Sequence, residues 1–199
     1  MNYVLPSPSK IHVIGTSCSG KSTFARKLSE TLNIAYVELD ALHWEANWQE
    51  CEASIFQARV AEAIKPESWI VDGSYGRKIG DTVSGERNYV IWIDIPLPLI
   101  LIRFFKRSLK RSWQKEILWG GCQETLRNSI FQKNSLLIWI LKHHSSSRSK
   151  YLLLLKDPPH GVSVIRLQSA KEINTFLGFA QSKGLSSRPS SDFLGFFGL

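Results

Sequence analysis

The stretch GTSCSGKS, residues 15–22, carries the most specific chemistry in the chain. It fits the pattern GxxxxGK[ST], which cradles phosphate. Gly15 and Gly20 permit backbone angles that a side chain forbids. The loop then turns its N–H groups inward as a nest for oxyanions, and the helix that follows adds its positive end. Lys21 brings a point charge to the β and γ phosphates of a nucleotide, and the Ser22 hydroxyl is a ligand for Mg²⁺. Gly15, Ser17, Ser19, Gly20, Lys21, Ser22 and Thr23 are therefore the expected contacts for ATP. Cys18 lies in the same loop and is read as filling a variable position rather than as a reactive thiol.

Three acids stand where strands should end. Asp40 opens the aromatic stretch DALHWEANW. A carboxylate there orients a substrate hydroxyl or accepts its proton, and Trp44 lines an acceptor pocket, with His43 and Trp48 as weaker candidates. Asp72 ends the apolar run WIVD and is followed by Gly73 and Arg77. Apolar residues leading into an acid match the strand that holds the Mg²⁺ shell in phosphate-transfer proteins. Ser22 and Asp72 are thus the expected metal residues, Gly73 lets an acceptor approach the backbone, and Arg77 serves an anion. Asp94, in IDIP, is the competing acid, and Asp72 is preferred because a substrate loop follows it directly. No Lys or Arg lies between Asp40 and Cys51. That absence favours a neutral hydroxyl acceptor over a monophosphate, which is an anion near neutral pH.

Positioning these residues requires strands that end beside one another. Apolar runs predict strands over residues 10–14, 34–39, 68–72, 89–95 and 162–167. Helical spacing follows residue 21, with Phe24, Leu28 and Leu32 on one face, and recurs over 49–64, 97–113, 124–144, 146–155 and 171–180. Strands alternating with helices imply an α/β fold with a parallel sheet covered on both faces. Ligands on such sheets bind at the carboxyl ends of the strands, which is where the three acids fall. The expected organisation is an extension over 1–9, one domain over 10–181 and a flexible tail over 182–199.

The 199 residues, 43 % hydrophobic, suffice for one such domain with a full core. No apolar run reaches the roughly 18 residues of a membrane span, and the start lacks the pattern of a signal peptide. Three widely spaced cysteines predict neither disulfides nor a zinc site. A cytoplasmic protein with no membrane partner is expected. The net charge is +8, and between Arg103 and Lys150 eleven Lys or Arg face two acids, Glu116 and Glu124. Such a cluster attracts polyanions, nucleotide phosphates and nucleic acid alike.

The chain resembles the adenylate-kinase-like P-loop kinases, in particular the bacterial DNA topology modulation proteins, or adenylate-kinase-related kinases. The resemblance spans about residues 10–180 and rests on GTSCSGKST, LDALHW, WIVDGSYGR, WIDIP, RFFKRSLKR and VIRLQSAKEINTFL. It implies a P-loop NTPase three-layer sandwich with a five-stranded parallel sheet and a helical basic lid over about 103–150. It also implies that Arg103 lies against adenine, that Arg107 reaches the phosphates with a catalytic role, and that Arg111 joins when the lid closes. Asp72-Gly73 matches the Asp-Gly pair of adenylate kinases, but Ser74-Tyr75-Gly76-Arg77 replaces their Phe-Pro-Arg. AMP is therefore not the expected acceptor.

Two readings follow. The first is a Mg-ATP-dependent phosphotransferase acting on a small molecule, nucleoside or nucleotide, with Lys21, Asp40 and Arg107 as its catalytic groups. The alternative is a nucleotide-dependent DNA-binding protein that affects DNA topology, using the basic segment with Trp113, Trp119 and Trp139 interleaved. No DNA-reading motif is visible, which favours the enzyme. The acceptor and the oligomeric state are not legible at this level.

Overall fold

A computed structural model describes residues 8–132 and 135–183. Strand β1 (Lys10–Ile14) leads into helix α1 (Lys21–Leu32), and β2 (Ala35–Glu38) into the single turn of α2 (Leu39–His43). A short hairpin, β3 (Trp44–Glu45) and β4 (Gln49–Glu50), precedes α3 (Ala53–Ala63), β5 (Trp69–Asp72) and β6 (Tyr89–Ile93). Then come α4 (Leu97–Gln114), α5 (Leu136–Lys156), β7 (Ser163–Leu167) and α6 (Ala170–Lys183).

The main sheet has five parallel strands in the order β2-β5-β1-β6-β7. Every residue of β5 and β6 is buried, as expected of strands covered on both faces. Alternate side chains serve opposite layers. Ile11, Val13, Ile91 and Ile93 pack with Phe24 of α1, Phe104 of α4 and Phe176 of α6. On the other face Val37, Trp69 and Val71 meet Phe56 and Val60 of α3, and Trp92 and Val164 meet Tyr151 of α5. The expected three-layer α/β sandwich is the fold observed.

Several elements differ from expectation. The helix expected from residue 49 begins at Ala53, because residues 44–50 turn back as the β3–β4 hairpin. Asn47 and Trp48 make that reversal in left-handed conformations, φ 58° and 59°. The helix expected from residue 124 begins at Leu136, where the Ser135 hydroxyl caps it by accepting from Ile138 N–H. The residues before it carry buried polar side chains, Glu124 and Ser129, and form only a 3₁₀ turn (Trp119–Gly121) and a π turn (Arg127–Phe131). Among its described residues, the segment expected to form a helical lid has α-helix at its two ends. The break expected near residue 145 is absent, and α5 runs unbroken to Lys156. Helix α6 continues to Lys183, and the tail from residue 184 lies outside the described residues.

Candidate functional site

The phosphate loop leaves β1 at Gly15. A Cβ on Gly15 would lie 2.7 Å from the Ile93 carbonyl oxygen, so only glycine lets the loop pass β6 this closely. The loop tightens through Ser19 N–H donating to Thr16 O at 3.0 Å, with Cys18 at φ 64°. Gly20, at φ 98°, starts α1. Burial pushes the Cys18 thiol pKa up, although Arg107 and Lys21 pull against it. The neutral thiol suits the unreactive reading.

Lys21 is nearly buried and its Nζ stands 3.6 Å from Asp72 Oδ1. Burial opposes the lysine's charge, but Asp72 and Asp40 together outweigh it and hold its pKa above the ordinary lysine value. Asp72 is 2 % exposed. Burial pushes its carboxyl up, while Lys21 and the Ser22 hydroxyl pull against it. Tyr36 donates its hydroxyl to Asp72 Oδ2 at 3.3 Å, and Oδ1 accepts no hydrogen bond from the described residues. Asp94 is engaged differently: Arg148 Nε reaches Oδ1 at 3.2 Å and Arg166 Nε reaches Oδ2 at 2.9 Å.

Asp40 sits in α2, and Tyr75 donates its hydroxyl to Asp40 Oδ1 at 2.5 Å. Burial and the Asp40 charge push the Tyr75 phenol well above its usual range, so it acts as a neutral donor. Behind this pair lies His43, buried against Phe56, Trp44 and Tyr75, with Glu50 at 3.6 Å. Trp44 is half-buried and meets Trp48 edge to face. Gly73 is held from behind. His12 Nε2 donates to the Gly73 carbonyl at 2.7 Å, and His12 Nδ1 accepts from Arg87 at 3.1 Å. Burial drives the His12 pKa down to about 4, so it is neutral and both bonds are satisfied. Arg77 lies in the 3₁₀ turn Gly76–Ile79, Ser17 beside the loop's turn, and Thr23 on the exposed side of α1.

The arginines of α4 face inward. Arg103 Nη1 donates to the Ser19 carbonyl at 2.6 Å, which sets its guanidinium against the phosphate loop. Arg107 Nη2 lies 3.9 Å from Glu124 Oε2, and Arg111 Nη1 lies 2.9 Å from the same oxygen. With Arg148 on Asp94, four bases of the cationic segment are turned to internal partners. The exposed nucleic-acid face that the alternative reading needs is correspondingly reduced.

The lid strip and the hairpin are docked. Trp48 N–H donates to Cys122 Sγ at 3.0 Å, Cys122 Sγ–H to Glu45 O at 3.3 Å, and Trp48 Nε1 to Gln123 O at 3.3 Å. Tyr75, His12 and Glu124 are site-forming residues that sequence reasoning did not single out. The replacement of Phe-Pro-Arg at 74–77 was the one available signal for Tyr75.

No protein-family model matches the chain, and no curated protein matches it. Solved structures do. The shikimate kinase of Bacteroides thetaiotaomicron is similar at a TM-score of 0.50 and 11 % identity, over 87 % of this chain and 97 % of that one. An unliganded sugar kinase of Janibacter sp. gives 0.48 and 20 %, over 90 % and 100 %. A gluconokinase of Sinorhizobium meliloti gives 0.48 and 18 %, over 89 % and 91 %. With its strand order and its phosphate loop, the chain has the P-loop kinase fold. The likeness extends to the fold, and the adenylate-kinase-related placement rests on the sequence resemblance alone.

Proposed function

We propose that this chain is an ATP-dependent phosphotransferase whose acceptor is a small molecule bearing a hydroxyl group. A fold hosts many functions, so the reading rests on the site. The observation that carries it is the phosphate-loop Lys21 paired with buried Asp72 at 3.6 Å and lying within the field of Asp40, whose carboxylate Tyr75 holds.

The residues fit Mg-ATP. Asp72 offers a buried carboxylate oxygen that accepts no hydrogen bond, and Ser22 follows the P-loop lysine at the start of α1. Among the described residues no cluster of three His, Cys, Asp or Glu could hold a metal. Mg²⁺, which keeps several waters and substrate phosphate ligands, needs none. Mg-ATP, held by the phosphate loop, Ser22 and Asp72, would supply the γ-phosphoryl group and a charge-neutralising metal. The rest falls to the chain. Lys21, Arg107 and Arg111 supply positive charge where negative charge gathers in the transition state. Tyr75 fixes one oxygen of Asp40, and the other accepts the proton of the acceptor hydroxyl as its oxygen bonds to phosphorus and ADP departs. Trp44 and Gly73 lie on the acceptor side, and Arg77 follows them in sequence as the proposed anion contact.

The test is direct. The purified chain is given Mg-ATP and a panel of sugars, sugar acids, nucleosides and nucleoside monophosphates, and ADP release is followed. Acceptor-dependent ADP release with a hydroxyl compound supports the reading. Release only with monophosphates overturns the hydroxyl acceptor, and release with none overturns the enzyme.

A further inference from the structure

Glu124 belongs to the cationic segment, yet it is 7 % exposed. Its Oε1 accepts from the Ser108 hydroxyl at 2.7 Å and from the Ser129 hydroxyl at 3.0 Å. Its Oε2 faces Arg111 Nη1 at 2.9 Å and Arg107 Nη2 at 3.9 Å. A buried carboxylate with this many donors stays ionised: burial raises its pKa, but the two arginines and Ser108 more than offset that. Arg107 is not saturated by the contact, since its buried Nε has no hydrogen-bond partner among the described residues. Arg103, one turn before Arg107 on the same side of α4, donates to the Ser19 carbonyl at 2.6 Å and so brings that face of the helix to the phosphate loop. Glu124 therefore joins Arg107 and Arg111 on the α4 face that Arg103 brings to the phosphate loop.

The position of Glu124 is set from the acceptor side. It follows immediately on the strip that Cys122 and Gln123 tie to Glu45 and Trp48 of the hairpin. Gly120 closes the same contact, for a Cβ there would sit 2.6 Å from the Glu45 carbonyl carbon. The acceptor-side hairpin, the strip, Glu124 and the α4 arginines form one continuous chain of contacts.

We infer that Glu124 is a positioning residue for the γ-phosphate of the nucleotide: it holds the Arg107 and Arg111 guanidiniums on the α4 face that meets the phosphate loop. The inference rests on the phosphotransferase reading. An ion pair that merely occupied the arginines would be a competitor of phosphate, and its loss would tighten binding. A positioning pair has the opposite sign. Free guanidiniums on long side chains lose orientation, and bidentate phosphate bonds depend on it.

The experiment compares wild type with Glu124→Gln, whose amide oxygen still accepts from Ser108 and Ser129 while the charge is gone. Affinities are measured calorimetrically for a non-hydrolysable ATP analogue and for ADP, each with Mg²⁺. The expected result is at least a tenfold loss for the triphosphate analogue and less than a threefold change for ADP, with melting within a few degrees of wild type. Unchanged or tighter analogue binding overturns the inference, and so does an equal loss for both nucleotides. Should Glu124→Gln fail to fold, Ser129→Ala loosens Glu124 without touching either arginine. A loss of at least threefold for the analogue alone is then expected, and none overturns the inference. Wild-type protein that binds neither nucleotide overturns the phosphotransferase reading itself, an outcome distinct from the failure of Glu124.

Discussion

The Tyr75 hydroxyl lies 2.5 Å from Asp40 Oδ1, so one edge of the carboxylate is engaged before any acceptor arrives. The pair should behave as a unit. Asp40→Asn, which keeps the shape and removes the base, should lower acceptor turnover by roughly 10²–10⁴ with ATP affinity nearly intact. Tyr75→Phe keeps its ring against His43 and Phe56 and should lower turnover about tenfold, roughly 1.4 kcal/mol of barrier. In the double variant the Tyr75 effect should vanish, because the carboxylate that its hydroxyl holds has lost its role. Steady-state kinetics on the four proteins measures this, and fully additive losses contradict the pairing.

The pairing of Lys21 with Asp72 should be visible without nucleotide. Lys21→Ala leaves a buried carboxylate alone, and removing one partner of a buried pair costs on the order of 3 kcal/mol. Asp72 is already pushed up by burial and rises further without the lysine. A raised carboxyl pKa contributes stability that is present below its unfolded value and lost as pH rises through its folded one. The variant's deficit should therefore grow as pH rises above the ordinary carboxylate range. Asp72→Asn added to Lys21→Ala should restore most of the melting temperature. A deficit that is flat with pH and not rescued assigns Lys21 no electrostatic role in the unliganded fold.

Much of this site was legible in order along the chain, and the reason is local. A phosphate loop is eight consecutive residues whose chemistry and backbone needs are written together, and β5 and β6 announce their burial in unbroken apolar runs. What was not legible depends on residues far apart. His12 meets Gly73 across 61 positions, Tyr75 meets Asp40 across 35, and Cys122 meets Glu45 across 77. Periodicity carries no information on such pairs. It also failed at residues 49–52, expected as the start of a helix, where the hairpin reversed by left-handed Asn47 and Trp48 places β4 and delays α3 to Ala53.

His12 provides a pH signature. Its pKa falls from 6.5 to about 4 through burial, with Arg87 and Lys150 adding to the fall and the Gly73 carbonyl opposing it. A depressed histidine contributes stability above its unfolded pKa that is lost as pH falls through the window between the two values. At about 1.4 kcal/mol per unit the loss from pH 6.5 to pH 4 approaches roughly 3 kcal/mol. Denaturant titrations of wild type and His12→Gln should differ in slope across that window, with the variant the flatter. Parallel slopes assign the acid sensitivity to other groups.

Gly120 tests the docked strip. It has φ 61° and no room for a Cβ against Glu45. Gly120→Ala should cost about 1–2 kcal/mol for the left-handed backbone alone, and the clash should lift the strip from the hairpin. Cys122 is 4 % exposed in the docked state. Its reaction with a thiol reagent should accelerate at least tenfold in the variant, while Cys51, which hydrogen-bonds to Leu42 rather than to the strip, keeps its rate. Equal rates at Cys122 mean that the strip does not rely on Gly120.

The docking of strip to hairpin also bears on redesign. Residues 44–50 and 118–124 are remote in sequence but share a surface built from backbone groups, a thiol and a glycine. Grafting a foreign hairpin to admit a different acceptor breaks that surface unless the matching strip is transplanted with it. The two segments form a single cassette, and chimaeras that exchange both should retain nucleotide affinity where chimaeras that exchange one do not.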